Sequence, residues 1–123
     1  MNKISTYLNF IKARGRILSE INPESNEIAL IANDALSAIT LLNELQVVIL
    51  GGDILCDDSG KLIYAYQYWG SKYISLNWYC DRSLNESDLD YQNRSYNIAK
   101  EAINTAISVA MQLSKNCYVV IVI

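Results

Sequence analysis

A chain of 123 residues with 51% apolar content, one proline and five glycines is long enough to bury about two-thirds of its unfolded surface, which excludes a disordered tail or a mini-protein that needs staples. Its net charge of -3 comes from 13 acidic and 10 basic side chains with no histidine, which removes both the basic stripe of a nucleic-acid binder and every catalytic arrangement built on imidazole. No apolar run approaches the ~20 residues that cross a bilayer, and Met1-Asn2-Lys3 leads into no apolar secretory segment, so the expectation is one cytoplasmic domain over 1–123, outside any membrane.

Ile4, Tyr7, Leu8 and Ile11 recur at helical spacing and predict a short first helix that closes on Lys12 and Arg14 before Gly15. Lys12, Arg14 and Arg16 read as a solvated helix end. After the break at Asn22-Pro23, Glu27 to Ile31 predicts a brief strand. Asn33 or Asp34 is then expected to cap a helix whose Ala38, Leu41, Leu42 and Leu45 share one face. Val47 to Leu50 is β-rich, and Gly51-Gly52 allow a bulge or sharp bend before Asp53 to Cys56 continue extended. Asp57-Asp58-Ser59-Gly60 has turn composition.

Pairing Tyr68 with Tyr73 across Trp69 to Lys72 predicts a hairpin. Ile63, Ala65, Ile74, Leu76 and Trp78 fall on its core face. Tyr64, Tyr66, Tyr68, Tyr73, Ser75, Asn77 and Tyr79 fall on the other, which is either half-covered by a helix or offered to a partner. Ser83-Leu84-Asn85-Glu86 has the form of a capping box and opens a long helix to about Leu113, with an irregularity expected near Tyr91 to Ser95. Cys117 to Ile123, apolar at successive positions, reads as an interior strand. The fold class is α+β, a single mixed, mostly antiparallel sheet of about five strands with helices packed on it.

Cys56, Cys80 and Cys117 cannot all pair and show no C-x-x-C spacing, so free thiols are expected. Gly51-Gly52 belongs to no phosphate-loop pattern, and the acids lack EF-hand spacing, so neither a cofactor nor a metal is expected. Residues 53–90 carry seven acids against three bases, while the rest of the chain carries six against seven. An acidic, aromatic middle suits a surface that grips another molecule. The candidate contact residues are Asp53, Asp57, Asp58, Tyr66, Tyr68, Trp69 and Asp81. Their structural alternatives are plain: Asp53 accepting turn amides, Asp57-Asp58 as a solvated turn, Asp81 paired locally with Arg82, and the tyrosines beneath a helix.

Leu50-Gly51-Gly52-Asp53-Ile54, the tyrosine-rich segment, Trp78-Tyr79-Cys80-Asp81-Arg82 and an acidic helix start together resemble a family of small immunity proteins of bacterial polymorphic toxin systems, from about Asn26 to the C-terminus. Leu45-Gln46-Val47-Val48 departs from that family's Gly-Ile-Pro-like turn. The resemblance implies a non-enzymatic protein that binds and neutralises a cognate toxin domain by occluding its active site or substrate groove, and the charge pattern suits a basic nuclease. Two rival readings stand beside it. One is a carboxylate-dependent hydrolase or small-ligand protein with Asp53 and Asp81 in one pocket. The other is a self-associating module built on the apolar last strand, and the oligomeric state stays open.

Overall fold

A computed structural model describes residues 3–123. Its helices are α1 (Ser5–Arg14), α2 (Ala32–Glu44), the single turn α3 (Ala65–Tyr68) and α4 (Asp88–Gln112). Its strands are β1 (Arg16–Ile17), β2 (Ile28–Ile31), β3 (Gly51–Asp58), β4 (Lys61–Tyr64), β5 (Trp78–Tyr79) and β6 (Tyr118–Val122). The last strand, apolar on both faces, takes the centre of one sheet ordered β1-β2-β6-β3-β4, with β5 also paired to β3. Every ladder is antiparallel.

Alternation along these strands separates two cores. Leu30, Ile54, Val119 and Ile121 face the helices and pack with Tyr7, Ile11, Ile39, Leu42 and Ile103. Ala29, Leu55, Leu62 and Val120 face the other way and meet Leu18, which the 3-10 turn Leu18–Glu20 folds back over the sheet. Alanines 35, 38, 99 and 106 are fully buried where α2 and α4 approach, since a larger residue there would hold the helices apart.

Both long helices end in a Schellman motif without glycine. Val47 N–H reaches Leu42 O and Gln46 N–H reaches Asn43 O, and Lys115 and Ser114 repeat the pattern onto Ala110 and Met111. Gln46 and Ser114 therefore hold φ of 60° and 54°. A left-handed conformation costs a side chain ~1–2 kcal/mol, against ~0.4–1 kcal/mol of extra unfolded-state freedom for glycine. Gln46→Gly and Ser114→Gly are each expected to stabilise by about 0.5–1 kcal/mol, read as a rise in the urea midpoint.

Several local expectations are corrected. The tyrosine hairpin is absent: the chain leaves β4 at Tyr64, coils through α3 and the 3-10 turn Ser71–Leu76, and returns to β3 as β5. The hairpin that does form joins β3 to β4 through Ser59-Gly60, both at positive φ, pairing Asp58 with Lys61. Gly51-Gly52 lie inside β3 with no bulge. Val47 to Ile49 form no ladder, and Ile49 N–H is taken by the buried Ser95 hydroxyl, while Leu50 N–H reaches Val122 O and continues the sheet's bonding one residue before β3. Neither Asn33 nor Asp34 caps α2; its first amide, Ala32 N–H, bonds Cys117 O. The cap of α4 is Ser87, which accepts Asp90 N–H, and the helix runs unbroken through Tyr91 to Ser95.

Candidate functional site

The two halves of the motif that carries the family resemblance pack on each other. Gly51 pairs with Tyr79 and Gly52 with Trp78 across the β3–β5 ladder. A Cβ on Gly52 would sit 2.2 Å from the Trp78 ring, and one on Gly51 would sit 2.4 Å from Trp78 O. Cys80 N–H closes the ladder on Leu50 O, and the Tyr91 hydroxyl donates to Cys80 O. Gly-Gly and Trp-Tyr-Cys are thus one clamp joining the long strand to the start of α4.

The loop after β5 is held by two arginines. Arg94 donates Nε and Nη2 to the Glu86 carboxylate at 2.7 and 2.8 Å and Nη2 to Asp81 O, while Arg82 pairs with Asp88 rather than with Asp81. Glu86 also accepts Ser83 N–H, so the Ser-x-x-Glu box shapes this loop instead of opening the helix. Arg94 first, then the Ser83 amide, lowers the Glu86 carboxyl to about 2. Arg16 is no solvated helix end: it donates to Asp57, Glu20 and Gly60 O and lies over the Tyr118 ring. The Gly60 amide and then Arg16 hold the Asp57 carboxyl below its ordinary value. Both carboxyls sit lower folded than unfolded, so their stabilisation is complete above the unfolded range of ~4 and is lost as pH falls through the folded values. Stability is expected to decline on acidification from about pH 5 toward 2, and Arg94→Met is expected to flatten that decline in urea midpoints measured across pH.

All three cysteines are free and buried. Burial pushes the Cys56 thiol up to about 11 and Cys117 up to about 12. A shift from 9.0 to about 12 cuts the thiolate of Cys117 roughly a thousandfold. Ellman's reagent at pH 8 is expected to leave the native thiols unlabelled and to release three equivalents in denaturant.

Six of the seven candidate contact residues fall in three places, and the seventh, Tyr66, lies against Tyr64. Asp53 and Asp57 share the sheet face opposite the helices, but Asp57 is consumed by Arg16, by Gly60 N–H and by Asn116, whose amide brackets its backbone. Asp58, Tyr68 and Trp69 lie toward the helical face; Lys115 sits over the Tyr68 ring, and the Trp69 indole packs on the core with its N–H buried toward the Cys56 thiol. Asp81 is exposed in the arginine-held loop. Asp53 and Asp81 are not brought together: each lies two residues beyond the Gly51–Tyr79 pair, in opposite directions along the ladder. Of four concavities along the surface, none is lined by either.

What the sheet face does assemble is a cluster that the sequence only partly marks. Register puts Tyr79, Val122, Asp53 and Tyr64 on the same side, above the half that Leu18 and Ile21 cover. Tyr66 stacks on Tyr64 with ring centroids 5.8 Å apart. Burial first, then the Asp53 and Glu27 carboxylates, raises the Tyr64 hydroxyl. Asp53 is half-buried, has no hydrogen bond or ion pair among the described residues, and is raised by burial. Tyr64, Tyr79 and Glu27 are not among the seven contact residues that the sequence suggests; the signal for the tyrosines is the alternation Gly51, Asp53, Leu55 set against its antiparallel partners.

Fold and site together define a small α+β protein that presents an aromatic, acidic sheet face free of helices. The chain belongs to the Immunity protein 40 family, whose model matches residues 17–123, and so to the immunity proteins of toxin systems. No curated protein and no solved structure matches it.

Proposed function

We propose that this protein binds a cognate toxin domain in the cytoplasm and neutralises it by covering the active site or substrate groove, with no chemistry of its own. The observation that carries the reading is the family match across 17–123. Two features of the chain support it. The acids a hydrolase would need in one pocket diverge along a ladder, and the thiols are buried with raised pKa. The acidic middle of the sequence favours a basic toxin, and a nuclease meets that requirement because its substrate is a polyanion.

Isothermal titration against the catalytically inactivated toxin domain encoded beside this chain, at physiological salt, tests the reading. Nanomolar 1:1 binding is the expected result. Absence of heat at several temperatures, with both proteins folded, would overturn it.

A further inference from the structure

The geometry points to the helix-free sheet face around Asp53, walled by Tyr64, Tyr66 and Tyr79 and flanked by Glu27, as the surface on which the toxin docks, with a lysine or arginine of the toxin seated on Asp53. This inference rests on the proposed function and specifies where and by what chemistry the partner is held.

Three observations carry it. Asp53 is half-buried, opposite Val120 in the ladder, and has no cation or donor of its own among the described residues. A carboxylate left so is a cost in the free protein, and an incoming cation removes that cost, as each partly desolvated charge is worth more paired than alone. The surrounding rings supply the rest of a cation's environment. Tyr64 and Tyr66 form a stacked wall, and Tyr79, 78% exposed, projects from the short strand β5 with nothing covering it. Aromatic walls around a central charged anchor are the composition of binding hot spots.

Charge selects the occupant. Asp53, Glu27, Glu20 and Asp57 lie on or beside this face; of the basic residues near it, Arg16 is already committed to Asp57 and Glu20, and Lys61 borders the hollow beside Tyr64 at the edge strand, paired across the hairpin with Asp58. A second copy docking through a two-fold axis would set these acids against their own duplicates. Nucleic acid is repelled by the same sign. A basic protein surface is complementary.

The test compares four proteins for affinity toward the inactivated toxin domain: the parent, Asp53→Asn, Tyr79→Ala and, on the exposed side of α4, Met111→Ala. Asp53→Asn keeps the shape and removes the charge. It is expected to weaken binding at least tenfold and to reduce the dependence of Kd on salt. Tyr79→Ala is expected to weaken it at least tenfold without loss of stability, and Met111→Ala to leave it within twofold. Asp53→Asn should also raise the urea midpoint at pH 7. The folded pKa of Asp53 is raised, so its penalty is absent below the unfolded value of ~4 and is present once pH has risen through the folded value. A variant that is more stable yet binds less well marks a binding residue, which a merely structural role does not produce.

Parent-like affinity in Asp53→Asn and Tyr79→Ala, with the parent binding tightly, would overturn the docking face and leave the proposed function standing. A parent that does not bind would overturn both. Dimers in sedimentation that Tyr79→Ala dissociates would make a second copy the occupant and also overturn the inference.

Discussion

Gly52→Val is expected to cost about 3 kcal/mol or more and to leave little folded protein at 37 °C. The reason is space, not backbone freedom. A Cβ there lands 2.2 and 2.5 Å from two carbons of the Trp78 ring and 2.7 Å from Val120 O, at the start of the longest strand, where β3 lies between β5 and β6. The ring contacts can be relieved by moving or shrinking a side chain, whereas the carbonyl belongs to the central strand and cannot retreat without breaking the β3–β6 ladder. Urea denaturation of Gly52→Ala, Trp78→Leu and the double variant separates the two contributions. The double variant is expected to be more stable than additivity allows, by about 1 kcal/mol, with the clash on Val120 O as the residual loss. A parent-like midpoint for Gly52→Val would show that the indole does not close on the glycine as described.

That clamp explains why the family resemblance is legible in the amino-acid sequence. Gly-Gly and Trp-Tyr-Cys lie 26 residues apart, counting Gly52 to Trp78, yet they are one ladder, so they carry a joint signal that packing alone accounts for at Gly51, Gly52 and Trp78. The central β6, the strand at Ile28–Ile31 and the helices at Ser5–Arg14 and Ala32–Glu44 are legible for a simpler reason, since burial on one stripe or on both faces imprints a period. The tyrosine hairpin fails because alternation over Ile63 to Tyr68 has the strand period, while the chain there coils from Ala65 and turns at Gly70 with φ 130°. The available correction is Ser59-Gly60, a two-residue loop between the runs Asp53–Asp58 and Lys61–Tyr64. Of the contact residues, Asp57 reads as a solvated turn acid because its partner Arg16 is 41 residues away, a pairing with no local trace. Asp53 stands out in the sequence without the property that distinguishes it, the absence of a partner, which is visible only once both faces of the sheet are known.

Leu18→Ala is expected to cost about 2–5 kcal/mol, although Leu18 lies in a three-residue turn that no periodicity marks. Its side chain is fully buried and fills the space between Ala29, Leu55, Leu62 and Val120, on the face that no helix covers. Around it, Leu18 N–H binds Glu27 O while Ile21 and Asn22 N–H bind Leu18 O, so the backbone cannot follow a shortened side chain into the gap and a cavity must remain. Urea midpoints should show the loss. Hydrogen exchange should show it first at the amides of Leu18, Ile21 and Asn22, where the segment detaches before the sheet melts. The comparison with Asp53→Asn is the stricter test, because Leu18 packs against the same sheet face that Asp53 occupies. One substitution removes apolar atoms from a sealed half of the face and should destabilise; the other removes an unpaired charge from the open half and should stabilise. Opposite signs from neighbouring positions on one face mean that this face is divided between a second core and a surface kept acidic at a cost to the free protein. A loss of stability from both would mean that Asp53 already has what it needs within the chain, and that its charge is structural.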